Sequence, residues 1–181
     1  TASRMTVEHL ARDIRDRMPL AAAISAIHRR IISFARSDPA YESMGSTVVA
    51  LQTYGNTYEI AWVGDSRAYL WDGRQLIRLT RDHSYVQSLV VSGAISEAEA
   101  DRHPERNAIT QALGAESIEE LRVDTVRGEL AGNQQILLCS DGLTSEVEDG
   151  AIAAILAEGA PEQPSVDRLI ARANTNGGAD N

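Results

Sequence analysis

Lysine is absent from this chain: all 17 of its basic residues are arginine, set against 26 Asp and Glu, for a net charge of -9 over 181 residues. The deficit of cations excludes a nucleic-acid partner, because neutralising a phosphate backbone takes clustered positive charge. A phosphate-bearing ligand would need metal ions to draw it in. The arginine bias would suit forked phosphate contacts, but a coding bias that also accounts for the Ala-rich segments explains it better. A single cysteine, Cys139, excludes an internal disulfide and any Cys-based zinc cluster, and fits a reducing compartment. Its place in an apolar run reads as a small buried hydrophobe. No apolar stretch approaches the roughly 18 to 20 residues that cross a bilayer, and the amino terminus lacks a signal-peptide pattern. The reading is a cytoplasmic, soluble protein with no membrane contact.

Length and a 43% hydrophobic content fit one compact domain over residues 1–181. Ile24, Ile27, Ile31, Phe34 and Ala35 recur at helical spacing, which predicts an amphipathic helix from about Leu20 to Ser37 behind a shorter one near Val7. From Ser46 the pattern turns to strands: Thr47 to Leu51 and Tyr58 to Val63 about a Gly55-Asn56 turn, then Arg67 to Trp71 and Gln75 to Leu79 about Asp72-Gly73. Together the four describe an antiparallel meander. Helical character returns between Tyr85 and Leu113, with a capping box at Ser96-Glu97-Ala98-Glu99. Strands resume at Leu121 to Arg127 and Gln135 to Cys139, and helices follow at Gly150 to Ala157 and Ser165 to Ala173 across a Glu158–Pro164 loop. The sum is an α+β fold.

Three acidic turns carry the chemistry. Leu138-Cys139-Ser140-Asp141-Gly142 ends an apolar run on a carboxylate, Leu79-Thr80-Arg81-Asp82-His83-Ser84 follows a strand-like segment, and Gly177-Gly178-Ala179-Asp180-Asn181 closes the chain. Taken alone, Asp141 serves equally as a turn former ahead of Gly142 or as a ligand, and the buried run before it tilts the choice towards a site. Asp82 competes with a second role as helix N-cap before Tyr85. Carboxylate oxygens suit Mg²⁺ or Mn²⁺, whereas zinc would call for His and Cys at close spacing, which the four scattered His residues do not supply. Two such ions about 3.5 to 4 Å apart can activate a water and neutralise charge on a phosphoryl group. His83 alone among the histidines is placed to lie near such a site. The Gly64-Asp65-Ser66-Arg67 motif lacks a nucleophile elbow, and Asp65 is assigned to a turn between strands.

The order Gly45-Ser46-Thr47, Gly64-Asp65-Ser66-Arg67, Leu79-Thr80-Arg81-Asp82-His83-Ser84, His103-Pro104-Glu105-Arg106-Asn107, Ser140-Asp141-Gly142-Leu143 and Gly177-Gly178-Ala179-Asp180-Asn181 resembles bacterial PP2C-type metal-dependent serine/threonine phosphatases. The resemblance spans nearly the whole chain. It implies two antiparallel sheets between helical layers, an α-β-β-α sandwich. It also implies that the family's amino-terminal segment, with an Arg for phosphate and an Asp-Gly metal ligand, and its final strand fall outside these residues. Asp141 and Asp180 match the ligands of a central metal pair, and Asp82 matches a ligand of a third ion. Residues 85–106 match the variable flap beside the active site.

The resemblance implies a protein phosphatase using Mn²⁺ or Mg²⁺, whose nucleophile is a metal-bridging hydroxide rather than a side chain. Its partner would be a phosphoprotein made by a cognate serine/threonine kinase, with a monomer as the default state and the substrate-contacting residues unassigned. A pseudophosphatase serving as a phosphoprotein-binding module is the alternative. A phosphatase for small molecules ranks third.

Overall fold

The computed structural model describes residues 1–15, 18–41, 44–115, 118, 120–132 and 134–178. Two helices open the chain, α1 (Ala2–Arg15) and α2 (Leu20–Ala35), joined by an ion pair between Asp13 and Arg30. The first, which contains Val7, is the shorter of the two, at 14 residues against 16. Leu20, Ile24, Ile27 and Ile31 fall on one face of α2 and are wholly buried against Val48, Ala50, Ala61 and Val63. Each such side chain contributes about 1.5–3 kcal/mol on leaving water.

The strands obey period-2 alternation. β1 (Val48–Tyr54) and β2 (Thr57–Val63) form the hairpin about Gly55-Asn56, with Tyr54 opposite Thr57. Val48, Ala50, Ala61 and Val63 turn towards the helices, whereas Tyr58, Ile60 and Trp62 pack with Ala68 in a separate cluster that also takes in Ile136 from the other sheet. β5 (Asp124–Glu129) completes the first sheet in the order β1-β2-β5. The second sheet runs β4-β3-β6, from β3 (Arg67–Trp71), β4 (Leu76–Arg78) and β6 (Gln135–Cys139). All pairings are antiparallel. On the far side of that sheet, α6 (Asp149–Ala157) and α7 (Glu162–Asn176) cover Trp71 with Ile152, Leu156 and Leu169, joined by Val147 from the turn before α6. The layers are therefore helix, sheet, sheet, helix.

Four expectations change. The segments between Thr47 and Leu79 are not one meander: β2 and β3 belong to different sheets, and Gly64-Asp65-Ser66 carries the chain across. Gly64 makes the crossing possible, since its φ is +102° and a Cβ there would sit 2.4 Å from Thr47 Cγ2. The Asp72-Gly73 turn is a four-residue loop, because Asp72 Oδ1 accepts from the backbone N–H of Arg74 and of Gln75, both at 2.8 Å, and Trp71 pairs with Leu76. α7 starts at Glu162, inside the stretch expected to be loop; Pro164 is tolerated there because first-turn N–H groups have no helical acceptor. β6 is an edge strand with Leu138 37% exposed, so the run before Asp141 is half-buried rather than buried.

Candidate active site

The register of β3 against β6 builds the site. Arg67 lies opposite Cys139, so the start of β3 stands beside the end of β6, and the chain leaves β6 through Ser140 into the single turn α5 (Asp141–Thr144). The Gly64–Ser66 crossing enters at the same level. After β4 the chain keeps company with β3: Leu79 N–H donates to Ala68 O at 2.8 Å and Ala68 N–H to Thr80 Oγ1 at 3.1 Å. His83 N–H then donates to Gly64 O at 2.9 Å. Asp82 is thereby returned to the mouth of β3. Asp65, Asp82 and Asp141 all line one cleft of about 700 Å³, together with Arg67, Arg78 and Arg106.

Electrostatics dominate this cleft. Its walls carry seven carboxylates and three guanidiniums, and no His or Cys. Asp65 is held above the ordinary carboxylate range by burial first and by the charge of Asp141 next, with Asp82 adding to it. A hard divalent cation would relieve that repulsion, and carboxylates without His or Cys suit Mg²⁺ or Mn²⁺ over zinc. The donor set therefore fits such an ion. Even so, among the described residues no three acidic, His or Cys side chains already converge as a metal-binding group. Asp180 lies outside the described residues.

Asp82 is spoken for by arginine. Arg67 Nη2 donates to its Oδ2 at 2.7 Å and Nε to Oδ2 and Oδ1 at 3.1 and 3.2 Å, while Arg78 Nη2 pairs with Oδ1. Burial works against the Arg67 charge more than any other single influence, yet the hydrogen bonds and charge of Asp82 hold the guanidinium above its ordinary value. Behind it, Arg67 Nη1 donates to Tyr69 Oη at 3.3 Å and Tyr69 Oη donates to Asp149 Oδ1 at 2.9 Å. Burial raises the Tyr69 phenol, so it remains a donor. Asp82 is not the cap of α3 (Tyr85–Val91): Ser84 is, its Oγ accepting from Gln87 N–H at 3.2 Å. A two-residue offset lets the cap and the cleft carboxylate coexist.

His83 points away from the cleft. It is buried, its Nδ1 accepts from Gly64 N–H at 3.3 Å, Nε2 lies 3.3 Å from an Asp124 oxygen, and its ring stacks on Trp62 at 6.3 Å. It braces the crossing that carries Asp65. Cys139 is half-buried, its thiol pushed up to about 11 by burial, and so inert as a nucleophile. The expected flap holds α3 and α4 (Glu97–Ala100), the latter started by the Ser96–Glu99 capping box. Arg106 and Asn107, at its far end and just beyond, line the cleft.

A protein phosphatase 2C family model matches residues 1–180. The chain belongs to the protein phosphatase 2C family. It is 37% identical over 162 residues to the serine/threonine phosphatase stp of Listeria monocytogenes, covering 90% of this chain and 64% of that protein. Against the serine/threonine protein phosphatase PstP of Mycobacterium tuberculosis it is 39% identical over 163 residues, 90% of this chain and 31% of PstP. The chain thus spans less than two thirds of the length of these curated relatives. In structure it is similar to the S. agalactiae serine/threonine phosphatase, with a TM-score of 0.88, 34% identity, and coverage of 99% of this chain and 76% of that one. A PstP catalytic domain in complex with two manganese ions superposes with a TM-score of 0.79 at 33% identity, over 99% and 76% of the two chains. The family's α+β sandwich of two antiparallel sheets and flanking helices is the fold seen here. Among the described residues, no helix is long and apolar enough to cross a membrane.

The sequence pointed to Asp82 and Asp141, which the fold brings to one cleft, and to His83, which the fold sets behind it. It passed over Asp65, Arg67, Tyr69, Arg78 and Asp149. Asp65 does form the turn assigned to it, but the same turn hands its carboxylate to the cleft. The Gly-Asp-Ser-Arg spacing was the available signal, since it delivers an acid and a base to one strand entry.

Proposed function

We propose that this chain is the core of a protein phosphatase that hydrolyses phosphoserine and phosphothreonine esters in a phosphoprotein, using Mn²⁺ or Mg²⁺. The observation that carries the reading is the juxtaposition of Asp65 and Asp141 in one cleft, close enough in charge for one to impede ionisation of the other, in a chain homologous to serine/threonine phosphatases. Asp141 and Asp180 would hold the central ions, and Asp82 would serve a further one. When bound, the metal would supply charge neutralisation at the phosphoryl oxygens and water activation. The chain's own part is arrangement. β6 and α5 fix Asp141 at the cleft mouth, the Gly64 crossing fixes Asp65, and the Arg67–Tyr69–Asp149 series fixes the position of Asp82. No side chain acts as nucleophile.

The surplus of carboxylates over arginines in the cleft explains why a dianionic phosphomonoester would be repelled until cations are taken up. Residues 85–106 would form the flap over this cleft and meet the phosphoprotein. The test is phosphate release from a phosphothreonine peptide, with and without Mn²⁺, by the chain and by Asp141→Asn. Metal-dependent release that collapses at least a hundredfold in the variant supports the reading. Absence of release from folded protein that still binds phosphopeptide would move the assignment to a phosphoprotein-binding module. Faster turnover of a small phosphoester that the phosphopeptide cannot compete away would move it to small molecules.

A further inference from the structure

Asp82 is only 10% exposed in its side chain and is gripped from two sides, by Arg67 at 22% and Arg78 at 25%. An ionised carboxylate offers about four lone-pair sites. Arg67 hydrogen-bonds to both oxygens, and Arg78 Nη2 stands against Oδ1 as an ion pair that lacks hydrogen-bond geometry. A cation approaching Asp82 meets two positive charges already held against its carboxylate. The two arginines are not equally free to withdraw.

Arg67 sits on the central strand β3, between β4 and β6, meets both Asp82 oxygens, and is backed by Tyr69. Arg78 is the last residue of β4, a three-residue edge strand. It faces Asp82 through Oδ1 alone, and its buried Nε and Nη2 both lack a hydrogen-bond partner, so charge attraction alone joins the pair. Buried donors left unsatisfied weaken the hold of Arg78 on its place. Arg78 is therefore the clamp's movable arm.

We infer that Arg78 is a built-in counter-cation that competes with a divalent metal for Oδ1 of Asp82, and so sets how tightly this carboxylate takes a metal ion. The inference rests on the proposed role of Asp82 as a metal ligand. Two effects point the same way. Arg78 neutralises charge on the carboxylate that would attract a cation, and its own positive charge would repel an incoming ion in a partly desolvated cleft. Arg67 stays behind to orient the carboxylate once Arg78 has left it. Removing the Arg78 charge should then tighten metal binding, whereas breaking an ordinary structural ion pair would leave binding unchanged or weaken it.

The experiment titrates the full chain with MnCl₂, reading heat by calorimetry and free Mn²⁺ by electron paramagnetic resonance. Four proteins are compared: the parent chain, Arg78→Gln, Asp82→Asn and the double variant. The expected result is a Kd for the weakest Mn²⁺ step at least tenfold lower in Arg78→Gln, with that gain abolished in the Asp82→Asn background. A Kd unchanged within twofold, or raised, in folded Arg78→Gln would overturn the inference while leaving the phosphatase reading intact. Arg78→Met, which also removes the charge, should tighten binding to the same degree and serves if Arg78→Gln does not fold. Unchanged Mn²⁺ uptake in Asp82→Asn would remove the premise, and no uptake by any of the proteins would sink both the premise and the proposed metal chemistry.

Discussion

Tyr69→Phe isolates the support behind the cleft without opening a cavity. Tyr69 is fully buried, and only its hydroxyl is lost: it donates to Asp149 Oδ1 at 2.9 Å and accepts from Arg67 Nη1 at 3.3 Å. A hydrogen bond to a charged group is worth about 1.5–3 kcal/mol net. Asp149 lies at the exposed start of α6, where water can replace the phenol, so the lower end applies to that bond. The Arg67 contact is long and Arg67 keeps Asp82, which adds a few tenths at most. The expected loss is about 1.5 kcal/mol, or roughly 3–6 °C in Tm for a domain of this size. Urea unfolding followed by Trp62 and Trp71 fluorescence measures it. A loss under about 0.5 kcal/mol with an unchanged denaturant slope would refute the claim that this hydroxyl ties β3 to α6. A double-mutant cycle with Asp149→Asn should recover most of the loss as coupling, because the two changes remove the same bond.

Gly64→Ala should cost about 2–5 kcal/mol, since it places a Cβ 2.4 Å from Thr47 Cγ2 at a φ of +102°; a variant within 1 kcal/mol of the parent in urea would show that the crossing relaxes. His28, buried with Nδ1 accepting from Gly114 N–H at 3.1 Å, is held below its ordinary pKa by burial first and by Arg29 second. Its folded pKa is depressed, so its contribution is fully present above the unfolded value of about 6.5 and is lost as pH falls through the folded value, with a slope of at most about 1.4 kcal/mol per pH unit. His28→Gln should flatten the fall in unfolding free energy between pH 7.5 and pH 5, and identical pH profiles for the two proteins would contradict this.

What the sequence made legible was whatever is local. The Gly55-Asn56 turn, the Ser96–Glu99 capping box and the α2 stripe are each decided by residues within a few positions of one another, and each stands in the structure as expected except for Phe34, which is exposed outside the stripe and packs on Tyr41. The meander failed because Gly64-Asp65-Ser66 has the composition of a turn whether the next strand pairs with the last or joins another sheet. Only the packing of Ile60 and Trp62 on Ala68 across the two sheets decides that. The site divides along the same line. Asp141 announces itself at the end of an apolar run, whereas the Tyr69–Asp149 bond joins residues 80 positions apart and leaves no local trace.

Arg78 and Asp82 are a sharper case, being only four residues apart. On a helix that spacing would mark an ordinary surface pair of about 0.2–0.5 kcal/mol. Here the chain leaves β4, runs on beside β3 through Leu79 and Thr80, and turns Asp82 back into the cleft. The same spacing then produces a largely buried contact in competition with Arg67. Its weight depends on desolvation rather than separation, and desolvation is a property of the assembled sheets. An acidic chain with arginine in place of lysine can in this way hold a cleft carboxylate oriented, leaving its less tethered partner to yield when a stronger cation arrives.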